Sequence, residues 1–245
     1  MTLPTLLSAQ ADPVHYLPIA TTALSVVFFV VLVRRYVSRH SGPHLLWWAG
    51  GIFAYGLGTA LEGSITLFGN TVVLTKAWYI AGALLGGYPL AQGSVYLLLP
   101  RRTAHVLTAI TVPYMLVMAI LVIASPVNAE LLQPHKPSGS ILQWQWVRAM
   151  TPLLNGYAAV FLIGGAVYSA VRFARRSGAA NRALGNSLIA MGALLPGIGG
   201  GMAKADMVEA LYVGEFVGLI LIWAGYAACV RPIHPAGLAG RTTAA

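Results

Sequence analysis

Two glutamates, Glu62 and Glu215, lie inside long apolar runs of a chain with only six acidic residues against fifteen basic ones. A carboxylate in hydrocarbon is costly unless it is paired or hydrated, so each marks a candidate site rather than a stray surface charge. A site with two acids suits a proton, a cation or a small polar ligand. It could also do acid–base work, although two carboxyls without a further catalytic group make a weak enzyme. Other residues able to contribute are Lys76, Tyr79 and Asn155, together with the run Pro196-Gly197-Ile198-Gly199-Gly200-Gly201.

The elements that must position these residues are set by composition. The chain has 245 residues, 58% of them hydrophobic and 9% charged, and a mean hydropathy of +0.74. Seven apolar stretches are each long enough to cross a bilayer core, which needs roughly 20 helical residues. They run over 16–33, 45–68, 72–99, 104–125, 149–173, 183–203 and 208–230. No stretch alternates as a barrel strand does, and a spanning segment must satisfy its own backbone, so helix is the expected state. The fold class predicted is all-α, a single integral membrane bundle of seven helices. Pro89, Pro113, Pro152 and Pro196 predict kinks, because each removes a backbone donor and crowds the preceding turn.

Orientation follows from the basic residues. With the amino terminus outside, the cytoplasmic side holds Arg34, Arg35, Arg39, Arg101, Arg102, Arg172, Arg175, Arg176, Arg182, Arg231 and Arg241. The other side holds Lys76, Lys136, Arg148 and Lys204. The bias predicts a multi-pass plasma-membrane protein with its carboxyl terminus in the cytoplasm, and it accounts for the net charge of +9 without nucleic acid. The first fifteen residues lack the basic start and cleavage motif of a secretory signal. Residues 231–245 read as a short cytoplasmic tail, with no output domain.

Depth brings the candidate residues together. At about 1.5 Å per helical residue, Glu62 and Glu215 each lie about 10 Å below the outer end of their helices. Tyr79, Asn155 and Pro196 fall near that level, with Lys76 and Arg148 closer to the surface. The expectation is a polar pocket in the outer half of the bundle, open to the outside. Lys76, Arg148, Lys204, Asp206 and Glu209 are near enough to helix ends to snorkel. Glycines four apart, at Gly82 and Gly86, Gly197 and Gly201, and Gly214 and Gly218, predict close helix contacts. The proline and glycine run beginning at Pro196 is a poor helix, expected as a broken turn or a frayed end. The long loop Pro126 to Arg148 carries Trp144 and Trp146, suited to anchoring at the headgroup level or to covering a pocket.

Several chemistries are disfavoured. His15, His40, His44, His105, His135 and His234 all fall in loops, tails or helix ends, which argues against intramembrane haem or a histidine-held zinc, so no metal or cofactor is expected. Lys204 precedes the last helix, which has no lysine for a retinal Schiff base. One cysteine, Cys229, excludes an intrachain disulfide. No Ser–His pair or phosphate loop is evident, so no catalytic residue is assigned.

Trp47-Trp48-Ala49-Gly50, Tyr55-Gly56 and Leu61-Glu62, followed by Lys76-Ala77-Trp78-Tyr79, Gly82 and Pro89, resemble the seven-helix sensor region at the amino terminus of some bacterial histidine kinases. The resemblance covers the second and third helices. It implies a sensing bundle in which Glu62, Lys76 and Tyr79 are the positions carried over, with output through a cytoplasmic signalling partner. The leading expectation is therefore a receptor-like membrane protein with an outward pocket bounded by Glu62, Lys76, Tyr79, Asn155, Pro196, Gly197 and Glu215. The alternatives are a transporter or ion pathway using both acids, an accessory subunit of a membrane complex, and a membrane enzyme.

Overall fold

The computed structural model describes residues 13–39, 42–203, 205 and 207–231. Asp12, His40, Lys204, Asp206, His234, Arg241 and the tail beyond Arg231 lie outside the described residues. Helix α1 (Leu17–Arg39) is entered through a 3-10 turn at Pro13–Tyr16, and α2 covers Pro43–Phe68. The third rod is composite, with α3 (Val72–Trp78), a π-helical turn (Tyr79–Leu84) and α4 (Tyr88–Leu98). Helix α5 (Arg101–Ala124) follows. The fifth rod joins α6 (Gln145–Ala158), a second π-helical turn (Ala159–Gly164) and α7 (Gly165–Ala174). Helices α8 (Ala180–Ala203) and α9 (Val208–Val230) complete the order. The described residues contain no strand, only two isolated bridges in the loop after α5.

The all-α expectation holds, and five helical segments are long and apolar enough to cross a membrane: Pro13–Arg39, Arg101–Ala124, Gln145–Ala174, Ala180–Ala203 and Val208–Val230. Helix α2 falls outside that set because glycines and aromatics replace aliphatic residues along it. The third rod falls outside it because it is interrupted, which corrects the single helix expected over 72–99. Pro89 has no amide to donate to the Leu85 carbonyl, and its ring crowds the same turn. The chain loosens there: Leu85 N bonds back to Ile80 O at 3.0 Å, the π pattern, and α4 restarts with Pro89 in its first turn. At the far end of α2, Gly69 (φ 85°) takes the left-handed backbone that ends the helix.

The sixth rod corrects a second expectation. Pro196 to Gly201 is neither broken nor frayed, because α8 runs unbroken to Ala203. Pro196 deprives the Gly192 carbonyl of its helical donor, and that carbonyl lies against Gly218 of α9. A Cβ on Gly192 would come within 2.5 Å of Gly218 O, and one on Gly218 within 2.6 Å of Gly192 O. Further along, Gly185 meets Gly225 and Cys229, while Gly199 meets Ala210 and Leu211. The contact stripe on α8 is thus Gly185, Gly192 and Gly199, spaced by seven. Gly197 and Gly201, the pair expected to pack, face open space. Gly214 and Gly218 do pack, against Leu195, Gly192 and Pro196.

Helix α2 is embedded on two sides by the same device. Gly56 and Gly63 admit Ser25 and Ile19 of α1, and Gly51 admits Leu90 of α4. Thr22 and Thr59 add a hydroxyl bond of 2.9 Å between α1 and α2. In contrast, α5 presents Val106, Ile110, Leu116, Val117, Ile120 and Ile123 outward, as a lipid-facing helix does.

The glycine stripe gives opposite predictions within one helix. Gly192→Val forces backbone against backbone and should destabilise the α8–α9 hairpin by about 1–3 kcal/mol. Gly197→Ala meets nothing and should be neutral or stabilising by up to about 1 kcal/mol through helix propensity. Thermal unfolding of the two variants in detergent checks both signs.

Candidate functional site: a buried acid pair and its surroundings

Glu62 lies seven residues after Tyr55 and four before Thr66, so the three share one face of α2. Burial of α2 puts that face inside the bundle, and Glu62 is 1% exposed. Its Oε1 accepts a hydrogen bond from the Trp78 indole N–H at 2.6 Å. Trp78 is the last residue of α3, at the threshold of the π-helical turn. Tyr55 donates its hydroxyl to the backbone carbonyl of Glu215 at 2.8 Å, which ties α2 to α9.

The Glu62 and Glu215 side chains lie close enough to act on each other's charge. Both Oε2 atoms are buried, and neither has a donor. Two ionised carboxylates offer only acceptors, so a bond between them exists only when one carries a proton. Two unit charges 4 Å apart would repel by about 4 kcal/mol even at an effective dielectric constant of 20. One bound proton removes that repulsion and supplies the missing donor.

Beyond the pair, towards the amino-terminal end of α9, Tyr212 is fully buried with its hydroxyl unpartnered. It packs with Val208 and Leu211 beside Trp78. The His15 ring meets Tyr212 edge-on at 5.8 Å, and His15 Nε2 lies 3.7 Å from Glu209 Oε1. Glu209 is 42% exposed against 14% for His15. Of the buried side-chain polar atoms without a partner among the described residues, five are His15 Nδ1, Glu62 Oε2, Thr66 Oγ1, Tyr212 OH and Glu215 Oε2. His15 reaches the neighbourhood of the acids through Tyr212, which packs beside Trp78, the donor to Glu62.

The other predicted site residues go elsewhere. Lys76 donates to Ile123 O at 2.7 Å and Ser125 O at 2.8 Å, closing the carbonyl end of α5. Tyr79 is buried and shares a hydroxyl bond of 2.8 Å with Thr151. Arg148 bonds Gln145, while Asn155 and Gly197 are exposed. Pro196 packs against Gly214 and Gly218, one residue before Glu215 and three after it. The structure therefore joins Glu62, Glu215 and, through packing, Pro196. Lys76, Tyr79 and Asn155 lie apart from the acids, because neighbouring residues on a helix point about 100° apart. Trp78 turns to Glu62 while Tyr79 turns to α6.

The long loop covers Tyr79 and not the acids. Gly139 sits on the Tyr79 ring, Ile141 and Leu142 are buried beneath the loop, and Asn70 holds it by bonds to Gln133 O and Lys136 O. Trp144 and exposed Trp146 stack at 6.1 Å between centroids.

Sequence reasoning missed Trp78, Tyr55, Tyr212, His15 and Thr66. Spacing held a signal for three of them: Tyr55 and Thr66 at helical intervals from Glu62, and Tyr212 three residues before Glu215. Trp78→Phe strands Glu62 Oε1 and should cost about 1–3 kcal/mol. Glu62→Gln keeps an acceptor for the indole and should cost less. Unfolding of both variants, with the Trp78 N–H resonance as local reporter, checks the order.

No protein-family model matches the chain, and no curated protein matches it in sequence.

Proposed function

We propose that this chain is a seven-span plasma-membrane sensor, amino terminus outside, whose Glu62–Glu215 pair binds a single proton as its ligand. The observation that carries this reading is the proximity of two carboxyls, Glu62 buried on α2 and Glu215 on α9 with its Oε2 enclosed. A hard cation such as calcium takes six to eight oxygens. The unpartnered oxygens here are four, on Glu62, Thr66, Tyr212 and Glu215, which suits a proton better. The resemblance to kinase sensor regions points the same way, as do the basic residues clustered at the opposite end, which face headgroups or a cytoplasmic signalling partner.

The physical switch is electrostatic. With one proton the pair bonds and draws α2 and α9 together; without it, two like charges in an apolar enclosure push the helices apart. His15, Glu209 and Tyr212 give protons a polar approach from the exposed end. Towards the basic end, Phe28, Ile52, Leu219 and Ile222 form an apolar layer. That layer favours sensing over a through-path, which is the competing transporter reading.

Infrared difference spectra of the protein in nanodiscs, recorded as pH is stepped, test the assignment. A protonated-carboxyl band should vanish as pH rises, and either Glu62→Gln or Glu215→Gln should abolish it. A band unchanged in the double variant refutes the proton site. In proteoliposomes a pH dye should report no flux; flux lost in both variants would replace the sensor with a proton pathway.

A further inference from the structure

At the opposite end of the bundle from the acid pair, a cavity of about 470 Å³ lies among α1, α2, α4, α7, α8 and α9. Its size is that of a small-molecule site. Phe28, Leu32, Ile52, Leu90, Leu162 and Ile222 make its body apolar, and Arg35, Arg172 and Arg182 line its basic end. Trp48 and Tyr226 also line it, and the indole N–H of the one and the hydroxyl of the other are buried without a partner. They complete, with the five atoms near the other end, the unpartnered buried polar atoms among the described residues.

The charge around this cavity is uncompensated. The chain has six acids, and none is among the described residues that line the cavity. Arg35 lies over the Tyr226 ring at 5.7 Å and Arg182 over Phe173 at 5.6 Å, so aromatic faces rather than carboxylates hold them. An indole N–H donates and cannot accept, and arginine likewise offers only donors. A complementary occupant must bring its own anionic acceptor together with an apolar body.

We propose that this cavity binds an amphiphile with a single alkyl or acyl chain and an anionic phosphate-type head. The head is held by Arg35, Arg172 and Arg182, with Tyr226 and Trp48 lining the wall below them, and the chain lies against Phe28, Ile52, Leu90 and Ile222. Guanidinium groups match phosphate in geometry and are charged at every working pH. Gly165, Ala166 and Ser169 keep the wall beside the chain thin, where larger side chains would fill the space.

The test uses the full chain in uncharged maltoside micelles with dodecyl phosphate as probe, read by calorimetry and by Trp48 quenching with a bromoalkyl phosphate. Saturable binding is expected, absent for dodecyltrimethylammonium and much weaker for inorganic phosphate. Replacing all three arginines (Arg35→Gln, Arg172→Gln, Arg182→Gln) should weaken Kd about tenfold or more, and Tyr226→Phe a few-fold. Ala166→Trp should abolish binding by filling the cavity; if it fails to fold, the rim and Tyr226 variants still decide. Glu62→Gln should leave the affinity unchanged, which separates this site from the proton site. Equal affinity for the cationic analogue, unsaturable partitioning, or a triple variant that binds like the parent overturns the proposal. Inorganic phosphate binding as tightly as the probe overturns the apolar half of it.

Discussion

Backbone contact through glycine is the constraint on which the rest depends. Lipid offers helices no hydrophobic gain for leaving it, so association rests on how closely they approach. Gly185, Gly192 and Gly199 bring α8 onto α9, and Gly56 and Gly63 bring α1 onto α2. Those contacts hold α9 and α2 where Tyr55 can reach the Glu215 carbonyl and where the two carboxyls can meet. A larger side chain at the stripe would cost more than local packing, because it would separate the acids.

The charges are divided between the two ends, and each end uses its share differently. At the acidic end the carboxyls are enclosed and lean on neutral donors, Trp78 above all. At the basic end the arginines surround a cavity and lean on aromatic faces. Between them, Phe28, Leu219 and Ile222 are apolar, so these residues offer no file of polar groups from one region to the other. Helices α2 and α9 line both regions, with Trp48 and Glu62 on one and Tyr226 and Glu215 on the other.

Much of this was legible in the chain. The helical class, the rough limits of the rods and the anomalous status of Glu62 and Glu215 follow from hydropathy and the cost of burying charge, which depend on composition along the sequence. Common depth also follows, because helix rise is fixed. Rotation about each helix axis does not. Lys76 and Trp78 are two residues apart, yet one closes the end of α5 and the other serves Glu62. The glycine run after Pro196 read as a break because intrinsic propensity opposes helix there; tertiary contact with Gly214 and Gly218 overrode it. The arginines read as a topology signal, and their second use at a cavity became visible only once six rods were placed around it.

By itself, then, the sequence determined what each segment is and how far along its axis each costly residue lies, because both are set by local periodicity and by transfer of groups from water to hydrocarbon. Which residues face each other was decided by tertiary structure. Glu62 meets Glu215 and Trp78, while Lys76 and Tyr79 turn away, because azimuth is fixed only when small residues let particular helix faces close on one another.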